Sequence, residues 1–149
     1  MKEYSYQYST SVKRIGELGP CIQEPEKLLQ WLKEKIFKEE NSWRETAVAV
    51  FTNNASRIIG FETISVGTQH KCNLDVKVIC RTAIDILADG VIIVHNHPTG
   101  ESEPSLNDIN TAKEIKKALN TLQIKLVDFL IIGDKDLFSF NTEKIYDYL

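Results

Sequence analysis

Val91–Asp108, V-I-I-V-H-N-H-P-T-G-E-S-E-P-S-L-N-D, carries two of the chain's three histidines. Gly90–Val94 is short, β-branched and preceded by the turn-like Ala88-Asp89-Gly90, so it reads as a buried strand. Side chains alternate across a strand, and His95 and His97 therefore leave its C-terminal end on the same side. A loop with two prolines and a glycine follows, and Ser105-Leu106-Asn107-Asp108 then opens a helical pattern. Two imidazoles and a carboxylate converge where a strand ends and a helix begins, which is the donor set of a three-ligand metal site. Zinc binds imidazole nitrogen and carboxylate oxygen, and catalytic zinc sites keep a fourth position for water. Ser105-x-x-Asp108 is also a helix-capping pattern, and the two readings are compatible: a serine that caps the helix holds the acid at its head.

His95-x-His97, then Ser105 and Asp108 at that spacing, resembles the signature of the JAMM (JAB/MPN) metallopeptidases. The wording H-N-H-P-T-G-x-x-x-P-S-x-x-D resembles their RadC-like branch more narrowly. The resemblance runs from about Thr46 to Phe140 and includes F-E-T-I-S-V-G-T, a helix around Arg81, and I-K-L-V-D-F-L-I-I-G. It implies a mixed, curved α/β sheet packed by helices, of the JAB/MPN-like, cytidine-deaminase-like class. It also implies Zn²⁺ on His95, His97 and Asp108, a catalytic glutamate at Glu62, and an oxyanion donor at Ser105. The chain departs from the RadC-like pattern at Phe129, where a histidine is usual after the aspartate. It departs again at Asp75-Val76-Lys77-Val78, where His-Pro-Arg-Glu is usual; Lys77 keeps the charge of that arginine without its bidentate geometry.

Working outward, Thr46–Thr52 reads as a strand, Asn53–Ser56 as a hairpin turn and Arg57–Val66 as the returning strand. Ile58, Gly60, Glu62 and Ile64 share one face of that strand. Glu62 is the only acid in a segment apolar on both faces, and an ionised carboxylate is costly to bury unpartnered. Glu45 is the runner-up base; it stands at a strand entrance and lacks the E-x-x-S-x-G context. A helix is expected over roughly Val78–Ala88 with Cys80, Ala83, Ile84 and Leu87 inward. Another is expected over Ser105–Leu122 with Ile109, Ala112, Ile115, Ala118 and Leu119 inward. Ile124–Ile132 is an apolar strand, Leu137–Phe140 its short partner, and 141–149 a short helix or irregular end. Upstream, Pro25 suits a first helical position, and Leu28, Leu29, Leu32 and Ile36 form a core-covering stripe. Residues 1–23 read as an arm or edge strand. His70, Glu101 and Glu103 read as solvated, and Asp128 as a structural acceptor.

A length of 149 residues fits one domain. Net charge −3 and a pI near 5.6 give no basic footprint for nucleic acid. Three cysteines without C-x-x-C spacing suit a reducing, cytoplasmic compartment. No apolar run approaches the roughly 18 residues of a membrane span. The function expected from these residues and the resemblance is a zinc-dependent amide hydrolase acting on a peptide or protein. The alternative is a DNA-repair-associated accessory or DNA-binding protein, prompted by the historical association of RadC-like proteins and not by composition. A zinc deaminase would need H-x-E with P-C-x-x-C, which this chain lacks.

Overall fold

The computed structural model describes residues 5–7, 9, 11–13, 16–23, 25–38, 44–66 and 74–147. His70 and Cys72 lie outside them, as does much of the expected N-terminal arm. Six strands form one sheet in the order β2-β1-β3-β4-β5-β6, comprising β1 Thr46–Thr52, β2 Ile58–Val66, β3 Gly90–Asn96, β4 Lys125–Ile132, β5 Asp136–Ser139 and β6 Lys144–Asp147. Among the described residues only β3 and β4 run parallel; every other pair is antiparallel. A parallel pair needs a crossover, and helix α3 (Leu106–Thr121) supplies it.

β3 is buried at every position, because both faces of the sheet are covered there. On one face Val91 and Ile93 pack with Ala49, Phe51, Phe129 and Ile131 beneath α3 and α2 (Val76–Asp85), which contribute Ile79, Ala83, Ala112, Ile115 and Leu119. On the other face Val48, Val50, Ile92, Val94 and Leu130 meet Leu28 and Leu32 of α1 (Pro25–Lys35). A groove of about 1490 Å³ remains on the α1 face; none of its walls is His95, His97 or Asp108. Among the described residues no helix is long and apolar enough to cross a membrane.

Four local expectations need correction. Helix α2 starts two residues earlier than its pattern suggests, because the Asp75 side chain caps the Lys77 N–H at 2.9 Å. Its inward stripe becomes Ile79 and Ala83, while Ile84 and Leu87 are exposed. Leu87 takes a left-handed φ of 52° past the end of the helix. In β2 the register slips at Ile59, between the Gly60 and Ile58 pairings. That bulge turns Ile58 into the α1-side core while Gly60 and Glu62 stay on the α2 side. The segment after Phe140 is neither helix nor irregular: Lys144–Asp147 pairs antiparallel with β5. The N-terminal arm touches the sheet where Gly19, Pro20 and Cys21 pair with Arg57 and Ile58 on the edge of β2.

Asp128 accepts hydrogen bonds from Phe129 N (2.7 Å), Ser139 Oγ (2.5 Å) and Asn141 N (3.0 Å). Burial outweighs these contacts and lifts its carboxyl above the usual range. A raised pKa in the folded state means that the native protein binds this proton more tightly than the unfolded chain. The associated stability is full below the unfolded carboxylate value and is lost as pH rises through the folded one. Asparagine could accept from the same two backbone N–H groups without a charge. Asp128→Asn is therefore expected to gain stability relative to the parent as pH rises from about 4 to 7, read as the difference in urea midpoints. A difference that stays flat with pH would show an ordinary carboxyl at this position.

Candidate metal centre

His95 is the last residue of β3 paired to β1, opposite Ala47, and it is only 4% exposed. His97 follows the strand. Its backbone N–H donates to Ile132 O of β4 at 3.0 Å, which extends the parallel pairing by one bond. The chain then turns at Pro98, with Gly100 N donating to His97 O at 2.9 Å. Gly100 has φ +87°, a conformation that strains any residue with a Cβ. Gly133 permits the loop to close on the β4–β5 turn: a Cβ there would meet Gly100 O at 2.6 Å and Ser102 N at 3.0 Å.

Asp108 arrives from the other side on the first turn of α3. Ser105 Oγ accepts from Asp108 N at 3.1 Å and Asp108 Oδ2 accepts from Ser105 N at 2.8 Å, a complete capping box. The box fixes the carboxylate at the head of the helix, where the dipole favours a negative charge. One carboxylate oxygen then faces each ring: Oδ1 lies 3.1 Å from His95 Nε2 and Oδ2 lies 3.2 Å from His97 Nε2. The structure thus gathers His95, His97 and Asp108, with Ser105 exposed beside them.

The rings fit a cation better than they fit each other's hydrogen bonds. His97 Nδ1 lies 2.9 Å from Glu101 O. A carbonyl can only accept, so Nδ1 carries a proton, and in the neutral ring Nε2 turns its lone pair toward Asp108. His95 is buried, and neither ring nitrogen is aligned for a hydrogen bond although Nε2 lies 3.1 Å from Asp108 Oδ1 and Nδ1 3.5 Å from Glu45 Oε1. A lone pair on a neutral His97 ring aimed at a carboxylate oxygen 3.2 Å away is repelled, and a cation between the two relieves that repulsion. Ligands about 2.1 Å from a tetrahedral ion stand about 3.4 Å apart, close to these separations. Burial disfavours charge on His95, but Asp108 and Glu45 outweigh it and raise the ring's pKa. Burial likewise works against the Asp108 charge, but the two histidines and the Ser105 N–H hold its carboxyl well below the usual range. A field that favours a proton on His95 favours a metal cation for the same reason.

Glu62 is not among the residues brought to the histidines. It pairs with Ala49, which pairs in turn with Ile93, so it sits two strands across and two residues back from His95. Thr82 Oγ1 donates to its Oε2, and Arg81 Nη2 lies 3.7 Å from its Oε1. Helix α2, packed on that face, explains the acid that puzzled the strand pattern. The glutamate beside the rings is Glu45, whose Oε1 lies 3.5 Å from His95 Nδ1. Glu45, His95 and His97 can each offer an atom within 4.8 Å of the other two. The sequence signal for Glu45 was its place at the entrance of the strand that pairs with β3. Phe129, where the histidine of the RadC-like pattern is missing, packs its ring edge-on to His95 with centroids 5.5 Å apart. Cys80 is a free thiol whose pKa is raised by burial, so it is a poor nucleophile.

A mixed sheet whose single parallel pair delivers a His-x-His to the capped head of its crossover helix is the architecture of a JAB/MPN-like domain. The RadC-like JAB domain family model matches residues 22–145, and the chain belongs to that family. It is 34% identical over 143 residues to a UPF0758 protein of Streptococcus suis, covering 89% of this chain and 57% of that one. It is 34% identical over 130 residues to a UPF0758 protein of Aquifex aeolicus, covering 87% and 54%. A UPF0758 protein of Photorhabdus laumondii is 39% identical over 97 residues, covering 65% and 42%. The chain thus spans about half the length of these relatives.

Proposed function

We propose that the protein is a zinc-dependent amide hydrolase of the metallopeptidase type, acting on a peptide or protein. The observation that carries this reading is the buried His95 ring gathered with His97 and Asp108, with a carboxylate oxygen of Glu45 within 4.8 Å of a nitrogen of each ring. His95, His97 and Asp108 would hold the ion. When bound, it supplies Lewis-acid polarisation and makes hydroxide available near neutral pH.

The chain's own residues supply the rest. Glu45 is the general base: its carboxylate takes the proton of the attacking water and returns it to the leaving nitrogen. A C–O bond forms, the amide C–N bond breaks, and the products are a carboxylate and an amine. Ser105 Oγ already accepts from the Asp108 N–H, so its own proton is left to donate to the oxygen that gains charge. A donor in that role contributes about 2.7–4 kcal/mol to the transition state in a well-characterised protease. Leu74, Asn107, Thr111 and Phe129 complete a narrow cleft against His95 and Asp108.

The test is an unbiased peptide library incubated with zinc-loaded protein and read by mass spectrometry. Cleavage that stops on chelation and returns with zinc is expected. A loaded protein that cleaves no member of the library would count against the reading.

A further inference from the structure

Asn96, the residue between the two histidines, points its side chain away from their rings by strand alternation. It reaches the chain 50 residues upstream. Asn96 Nδ2 donates to Arg44 O at 2.8 Å, and Asn96 Oδ1 accepts from Thr46 N at 2.7 Å. These two backbone groups flank Glu45. One belongs to the peptide plane that enters Glu45 and the other to the plane that leaves it. Peptide units are planar, so holding both planes fixes φ and ψ of Glu45 and with them the direction of its Cα–Cβ bond.

The backbone ladder between β1 and β3 ends at Ala47 and His95. Beyond that pair the Asn96 amide stands in for a peptide group of β3 and carries the pairing past Glu45. Only a carboxamide presents a donor and an acceptor side by side in this way; aspartate lacks the donor, and serine and threonine have a single oxygen. Asn96 is 8% exposed, which protects both bonds from competing water.

We infer that Asn96 is a positioning residue: it clamps the backbone on both sides of Glu45 and so holds the base against the metal site. The inference rests on Glu45 being the base of the proposed reaction. The H-N-H triplet then builds two parts of one centre, with the rings directed to the ion and the amide directed to the proton carrier.

The test uses Asn96→Ala, with Asn96→Asp as a nearly isosteric variant that keeps the Thr46 bond and sets oxygen against Arg44 O. In crystal structures of both, Glu45 should leave its place beside His95 while His95, His97 and Asp108 stay together. Each should bind zinc like the parent and lose kcat on the order of 10–100-fold with KM little changed. In a Glu45→Gln background the same substitutions should cost no further turnover. A Glu45 that keeps its position in both variants would overturn the inference, as would an equal loss of kcat with and without the Glu45 carboxylate. Should the parent hydrolyse nothing, the proposed reaction fails, but the crystallographic result still decides whether Asn96 places Glu45.

Discussion

Replacing Glu45 by glutamine should lower kcat by roughly 10²–10⁴-fold, the usual contribution of a positioned acid–base group, while zinc stays bound. The side chains match in size and Glu45 is mostly buried, with its side chain 12% exposed, so packing at the head of β1 is kept. What is lost is the ability to take a proton 3.5 Å from the His95 ring. The companion variant is Glu62→Gln, which sequence reading alone would make the inactive one. With Glu62 engaged by Thr82 and Arg81 on α2, its amide should leave turnover near that of the parent. Rates and bound zinc measured on both proteins decide the point. An active Glu45→Gln or an inactive Glu62→Gln would return the base to β2.

The second large effect is on stability. An ion that binds only the folded chain stabilises it by about 2.7 kcal/mol at a hundred times its dissociation constant and about 4.1 kcal/mol at a thousand times. Zinc should therefore raise the melting temperature of the parent by several degrees. His95→Ala should abolish that response, since it removes the buried ring that faces Asp108. Asp108→Asn separates two roles of one residue. Its amide oxygen can still accept from Ser105 N, so α3 stays capped, while the charge that would hold the ion is gone. The expected result is a folded protein, less stable than the parent by the lost attraction to the two rings, whose melting temperature shows no rise with zinc. A full response to zinc in Asp108→Asn would remove Asp108 from the site.

Much of this centre was legible in sequence because its parts are local. Strand alternation put His95 and His97 on one side, and the Ser105-x-x-Asp108 pattern put the acid at a helix head; the capping box joins four consecutive residues. The apolar runs of β1, β3 and β4 and the stripe of α3 were also readable from their periods. What was hidden depends on register between distant segments. Glu45 reaches His95 only because β1 pairs antiparallel with β3, and Glu62 is withdrawn only because α2 packs over β2. The Asn96 clamp spans 50 residues and has no local trace. A single cap at Asp75 moved the buried stripe of α2, and β6 escaped notice because its residues gain order only by pairing with β5.

The central claim, that two rings leaving β3 and the acid heading α3 grip one divalent cation, is tested most directly by anomalous diffraction. Crystals of the zinc-loaded chain measured on either side of the zinc edge should give one strong difference peak shared by His95 Nε2, His97 Nε2 and an Asp108 carboxylate oxygen. Stoichiometric zinc found elsewhere, with no peak between these side chains, would contradict it.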